Sequence, residues 1–168
     1  MKQALIILRG APSSGKSTIA KKLRDYDKKI VWLKVDNFKP FFSGTDEFTD
    51  IMSKAALASL NCLLDNNYSV IYEGIFQNPL FAEEAIKLAQ NKNIPVFTYQ
   101  LMCSLKTLQD RDLTRIGVKE GCRKPLGNEL IEKIYNTVEK NPIKKSTTLD
   151  TEKLSLEKCF NLIKRNFD

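Results

Sequence analysis

Five apolar residues in a row, Ala4 to Leu8, open the chain with two adjacent isoleucines. A continuous run of that length has the pattern of a strand buried on both faces of a parallel sheet. Ser17 to Leu23 then reads as a helix. A second β-rich run, Ile30 to Val35, ends at Asp36, and a third, Tyr68 to Tyr72, ends at Glu73. Between them, Asp46 to Leu64 carries apolar residues at Ile51, Ala55, Leu57, Ala58, Leu60, Cys62 and Leu64, a mostly helical stripe crossing from one strand to the next. The rhythm is βαβ.

The second half continues it. Asn78 followed by Pro79 is an N-cap with proline at the first helical position, which predicts a helix through about Gln90 with Phe81, Ala85, Leu88 and Ala89 inward. Ile94 to Cys103 reads as the fourth strand, Ser104 as the cap of a helix from Leu105 to about Arg115, and Asn128 to Lys140 as a further helix. Thr147 to Leu149 makes a short fifth strand. Ser155 to Phe167 closes the chain as an amphipathic helix with Leu156, Cys159, Phe160 and Ile163 inward. The stretch IGVKEGCRKPLG between two of these helices is polar and glycine-bearing, the composition of a mobile loop.

Composition narrows the chemistry. At 168 residues the chain suits a single domain, spanning 1–168, which at this size buries roughly two thirds of its unfolded surface. No apolar run is long enough for a signal segment or a membrane span, so a soluble, cytoplasmic protein is expected. There is no histidine, so any proton transfer must use carboxylates or lysines. Cys62, Cys103, Cys122 and Cys159 form no CxxC pair and read as reduced, mostly buried thiols. The net charge of +7 is localised: residues 1–39 sum to +7, 46–100 to −4 and 101–125 to +3. Two basic stretches of this kind fit either a nucleic-acid surface or convergence on a multiply charged small anion.

One motif favours the anion. Directly after the first strand comes GAPSSGKST, residues Gly10, Ala11, Pro12, Ser13, Ser14, Gly15, Lys16, Ser17 and Thr18, in which Gly10, Gly15, Lys16 and Ser17 match GxxxxGK[ST]. The context is the required strand, loop and helix. Glycines let backbone N–H groups point inward as an anion nest, and the following helix adds the positive end of its dipole. Lys16 is placed to neutralise β- and γ-phosphate charge, and the Ser17 hydroxyl to meet Mg²⁺, which keeps most of its waters and bridges the phosphates. The whole loop is therefore the expected cofactor-binding segment.

In a parallel sheet, Asp36 emerges at the same edge as this loop and could accept a proton from a substrate hydroxyl, unless it serves only as a cap or turn. Glu73 is placed to hold the metal's water shell, or to bind substrate or pair with Lys16. Arg111 and Arg115 lie four apart on one helix face, followed by Lys119, Arg123 and Lys124. Such arginine forks fit phosphate oxygens, and closure of the loop over them would exclude water. The alternative is a solvated face with Asp110 and Asp112 as partners. Phe38, Phe41, Phe42 and Phe48 could line an acceptor pocket or pack beneath a helix.

GAPSSGKST, then VDNF, VIYEG and RDLTR, in that order, resemble the small P-loop kinases, the group that includes chloramphenicol phosphotransferase, polynucleotide 5′-hydroxyl kinase and zeta-toxin-like kinases. The resemblance implies an α/β three-layer P-loop NTPase sandwich, with a five-stranded parallel sheet in the order 2-3-1-4-5 and a short lid at about 112–128. It also implies Lys16, Asp36, Arg111 and Arg115 as catalytic residues with Asp36 as base, Ser17 and Glu73 toward Mg²⁺, and ATP as donor. Polynucleotide kinases typically carry an arginine a few residues after that aspartate, where this chain offers Asn37, Phe38 and Lys39. The expected activity is phosphoryl transfer from ATP to a hydroxyl of a small molecule. A polynucleotide or nucleotide kinase and a slowly hydrolysing NTP-binding regulatory module are the alternatives. Nucleic acid is the less favoured partner and a membrane is not expected.

Overall fold

The computed structural model describes residues 2–42, 49–114 and 125–167. The opening apolar run becomes β1, Leu5–Arg9, in which every residue is buried. It lies between β3 (Ser69–Gly74) and β4 (Val96–Met102), with β2 (Ile30–Lys34) and β5 (Thr147–Asp150) at the edges. All neighbours are parallel, and the order is β2-β3-β1-β4-β5, as the resemblance implied. A strand with neighbours on both sides and helices on both faces has no solvent-facing position, so β1 shows no alternation.

One face of the sheet carries Ile6, Leu8 and Ile71 beneath α1 (Lys16–Arg24) and α6 (Leu156–Lys164), which contribute Ile19, Leu23, Cys159 and Ile163. The opposite face carries Leu5, Ile7, Val70 and Tyr72 beneath α2 (Thr49–Asp65) and α3 (Leu80–Asn91). Helices α4 (Leu105–Leu113) and α5 (Asn128–Lys140) pack on each other through Leu108 and Ile131, against Ala11 of the loop after β1. The result is the three-layer α/β sandwich.

The caps follow the sequence. Asn78 Oδ1 accepts the Leu80 N–H at 3.1 Å, with Pro79 already helical at φ −64°. The Ser104 hydroxyl accepts from Thr107 N–H and that of Ser155 from Lys158 N–H.

Several expectations need correction. In α2 the buried line is Met52, Ala56, Leu60 and Leu64, a four-residue spacing, and Ile51, Ala58 and Cys62 face solvent. The expected start of this helix, residues 46–48, lies outside the described residues. Helix α6 ends at Lys164, beyond which the chain turns so that Phe167 is buried and its carbonyl accepts the Lys2 N–H. Leu156 is 39% exposed rather than inward, because Ser155 starts the helix at the rim of a cavity. Asp36 is not a strand-end residue: β2 stops at Lys34, and Val35–Phe41 is a 3₁₀-helix. Cys103 and Cys159 are buried with their thiols pushed up by desolvation, so they stay protonated, but Cys62 is exposed. Cys122 lies outside the described residues.

Tyr72 is fully buried with its ring 5.2 Å from that of Phe76, and its hydroxyl has no hydrogen-bond partner among the described residues. Burial, aided by Glu84, raises its pKa well above the ordinary phenol value. The native state therefore keeps a proton that the unfolded chain releases near pH 10, and stability falls as pH rises past about 10. Tyr72→Phe removes an unsatisfied buried hydroxyl and should stabilise the protein by about 1 kcal/mol near neutral pH. Urea denaturation at pH 8 and above pH 10 checks both effects. The wild type should lose more stability than the variant in alkali, and equal losses would refute the assignment.

Candidate active site

The loop between β1 and α1 owes its shape to two glycines. Gly10 has φ +156°, and a Cβ there would lie 2.6 Å from the Leu101 carbonyl oxygen and 2.8 Å from Ser14 Oγ. Gly15, at φ +93°, is the left-handed N-cap of α1, whose first turn holds no acidic residue and so leaves its dipole for an anion. Ser13 is also left-handed, at φ +65°. Lys16 is buried and folds back over the loop, donating to the Gly10 and Ala11 carbonyls at 2.8 Å each. The ammonium is thus held in place beside the anion nest before any phosphate arrives.

Next to it, Ser17 in the first turn of α1 donates to Glu73 Oε1 at 2.7 Å. Glu73 is 2% exposed, and its other oxygen accepts from Trp32 Nε1 at 2.7 Å. The β2–β3 register sets Lys34 beside Glu73, on the face that α1 covers. Lys34 Nζ donates to Ser17 Oγ at 2.9 Å and lies 3.7 Å from Glu73 Oε1. The serine proton is committed to the carboxylate, which leaves the hydroxyl lone pairs facing a cation.

A cavity of about 500 Å³ opens onto these groups. Its lining includes the polar Lys16, Ser17, Lys34, Asp36, Glu73, Arg111 and Thr151 and the apolar Leu154, Leu156 and Cys159. Pro12, Ser13, Gly15 and Thr18 also line it. Asp36 pairs with Lys39 at 2.9 Å. Arg111 reaches the cavity while bonded to Thr151, Nη1 to Oγ1 at 3.0 Å and Nη2 to the carbonyl at 2.8 Å. Arg115, with Lys119, Arg123 and Lys124, lies outside the described residues, as does most of the expected lid.

The family model described as Zeta toxin matches residues 1–151. The chain belongs to the zeta toxin family. No curated protein matches it in sequence. Among solved structures, the fold is similar to that of a sugar kinase from a Janibacter species, with TM-score 0.72 and 17% identity over 99% of this chain and 95% of that one. It is also similar to the APS kinase CysC of Mycobacterium tuberculosis, with TM-score 0.64 and 14% identity over 99% and 97%. A chain of a Pnkp1/Rnl/Hen1 RNA repair complex matches with TM-score 0.68 and 24% identity, over 85% of this chain and 47% of that one. Family and fold support a nucleotide-dependent phosphotransferase in general. No described helix is long and apolar enough to cross a membrane.

Around the site of this zeta toxin family member stand several residues that the motif reading missed. Trp32 and Lys34 read as ordinary strand residues, and only the register shows that they hold Glu73. Asp112, a surface partner of the arginines in the alternative reading, is buried; it accepts the Leu126 and Gly127 N–H groups at 2.7 and 3.2 Å, just before α5. Arg9 is fully buried and donates to the carbonyls of Phe76 and Asn141 and to Gln100 Oε1. It fixes the segment after β3, where Phe76 is left-handed at φ +47°. Desolvation lowers the pKa of this guanidinium, yet an arginine remains charged and adds to the positive field at the strand ends.

The donor set around Ser17 fits Mg²⁺, since it offers hard oxygen atoms and a carboxylate already facing a positive charge, here the Lys34 ammonium. Among the described residues no group of three or more acidic or cysteine side chains is placed to hold a metal ion.

Gly10→Ala should push the phosphate loop away from Leu101 and weaken ATP binding about tenfold or more, because the displaced loop costs at least ~1.4 kcal/mol. Isothermal titration with ATP measures this, and an unchanged Kd would refute the close-approach argument.

Proposed function

We propose that the protein is an ATP- and Mg²⁺-dependent kinase that moves the γ-phosphate to a hydroxyl of a small molecule. The observation that carries this reading is the place of Asp36. It lines the phosphate-loop cavity and also a second cavity of about 610 Å³, and the two share Gly74 and Ile75 as well. A carboxylate between a nucleotide-sized space and a separate acceptor-sized space is where a phosphoryl-transfer base belongs.

The second cavity supports a small acceptor rather than a nucleic-acid end. Its walls mix apolar residues, among them Phe42, Phe76, Phe81 and Ile134, with the polar Asp36, Lys39, Asp50, Ser53, Gln77, Asn78 and Lys133, so acidic and basic groups both face it and it is a mixed pocket, not a uniformly basic groove. The expected aromatic pocket is thereby divided: Phe42 lines it, Phe38 packs beneath α2, Phe41 is 78% exposed, and Phe48 lies outside the described residues.

In the proposed reaction the backbone of residues 10–18 cradles the phosphates, and Lys16 neutralises their charge. Ser17 and Glu73 would hold Mg²⁺, which would supply neutralisation of the charge on the transferring phosphoryl group. Asp36 orients the acceptor hydroxyl and takes its proton late, which suits a carboxylate because a loose transition state demands little basicity. Lys39 forms an ion pair with Asp36 at 2.9 Å. Arg111, which lines the same cavity, stabilises the transferring group, the role that the sequence reading also gives Arg115. The apolar lining at Leu154 and Leu156 receives the nucleobase.

Asp36→Asn should lower transfer by about 10²–10⁴-fold while leaving ATP affinity within a few-fold, and Lys16→Ala should abolish turnover. The measurement is transfer of labelled γ-phosphate to a panel of small hydroxyl compounds, nucleotides and oligonucleotides, with ATP binding followed in parallel. Near-normal transfer by the Asp36 variant would remove it as base. Labelling of oligonucleotides alone would favour a polynucleotide kinase, and ATP binding with no acceptor labelled a regulatory NTP-binding module. Arg111→Ala should reduce kcat more than nucleotide affinity, and an unchanged kcat would leave Arg111 as only a tie to Thr151.

A further inference from the structure

We propose that Lys34 is an internal counter-cation, occupying the divalent-cation position of the nucleotide-free protein and displaced only when the metal enters with the nucleotide. This rests on the reading of Ser17 and Glu73 as the metal-facing pair.

The ammonium stands where a metal would. Ser17 spends its one proton on Glu73 Oε1, and the lone pair that remains accepts from Lys34 Nζ at 2.9 Å. The same ammonium lies 3.7 Å from the carboxylate oxygen. It therefore uses the hydroxyl lone pair and the negative charge that a cation requires.

Glu73 cannot move away to meet a different partner. Its second oxygen is fixed by Trp32, and the carboxylate is almost fully buried at the end of β3. A buried ionised carboxylate is destabilised without a positive partner, so a neighbouring cation favours its charged form. Before nucleotide binds, Lys34 supplies that cation.

Lys34 itself can leave. Its side chain is 23% exposed on an edge strand and lines the phosphate-loop cavity, so a flexible four-carbon stem can carry the ammonium into that space. Free Mg²⁺ has to displace a resident charge and gains only two protein ligands. Mg²⁺ bound to ATP brings phosphate ligands, and the phosphates give the displaced ammonium a new anionic partner. Lys34 thereby makes metal entry conditional on nucleotide entry.

The test compares wild type with Lys34→Met, which keeps the apolar stem and removes the charge. Without nucleotide, Mn²⁺ binding followed by electron paramagnetic resonance should be at least about tenfold tighter in the variant, since a unit charge within 4 Å has been removed. Mg²⁺ alone should raise the melting temperature of the variant by about 3 °C or more and leave that of the wild type unchanged. Adding Glu73→Gln to the variant should cancel both responses, and Lys34→Arg should behave as wild type. If Lys34→Met proves unstable even with Mg²⁺ present, Lys34→Gln supplies the same comparison while keeping a donor for Ser17.

Equal Mn²⁺ affinity and equal Mg²⁺ response in wild type and variant, with both proteins binding Mn²⁺ in the presence of ATP, overturns the role of Lys34 alone. Failure of Mn²⁺ to bind either protein even with ATP overturns the metal reading of Ser17 and Glu73, and the inference with it.

Discussion

A carboxylate buried at the end of β3 sets the terms for this site. Glu73 is 2% exposed, and a charge so placed requires partners on every side. It has three partners from two elements: Ser17 of α1, and Trp32 and Lys34 of β2. Each contact fixes something functional. Ser17 ties the phosphate loop to the sheet, Trp32 holds the edge strand in register, and Lys34 marks where positive charge is needed. Loss of any one would leave part of a buried charge unsatisfied, so the arrangement holds the loop, the edge strand and the start of the 3₁₀-helix together.

The loop itself is set up in advance. Lys16 already bonds to the carbonyls of Gly10 and Ala11, and Gly10 lies so close to Leu101 that no side chain fits. Behind it, buried Arg9 ends β1 by holding the Phe76 and Asn141 carbonyls. One short stretch from Arg9 to Ser17 thus connects the sheet centre, the wall of the second cavity and the C-terminal end of α5. Catalysis by positioning and electrostatics benefits from such prior ordering, because little reorganisation remains when substrate binds.

Much of this was legible beforehand for identifiable reasons. Among the described residues, the five strands and six α-helices follow from apolar runs, 3.6-residue periodicity and side-chain caps, all of them local signals. The loop after β1 is visible because backbone geometry demands glycine at two positions and the chemistry demands lysine and serine next to the second. Where local patterns misled, a tertiary contact was responsible. Leu156 has the spacing of an inward residue yet lines a cavity, Asp112 reads as surface yet is buried beneath the backbone of Leu126 and Gly127, and Asp36 left its strand for a 3₁₀-helix.

The order of residues alone determined the strand, the glycine-bearing loop and the helix of the phosphate-loop motif, the two carboxylates close to the ends of β2 and β3, and a localised positive charge without any histidine. Tertiary structure decided which groups meet. Lys34 and Glu73 are 39 positions apart in the sequence and become neighbours only through the β2–β3 register, and Trp32 reaches the same carboxylate by that register. Asp36 gains its place between two cavities only because helices from distant parts of the chain form their walls. Local geometry is carried by neighbouring residues, whereas charge compensation and cavity shape depend on which strands pair and on which face each side chain falls.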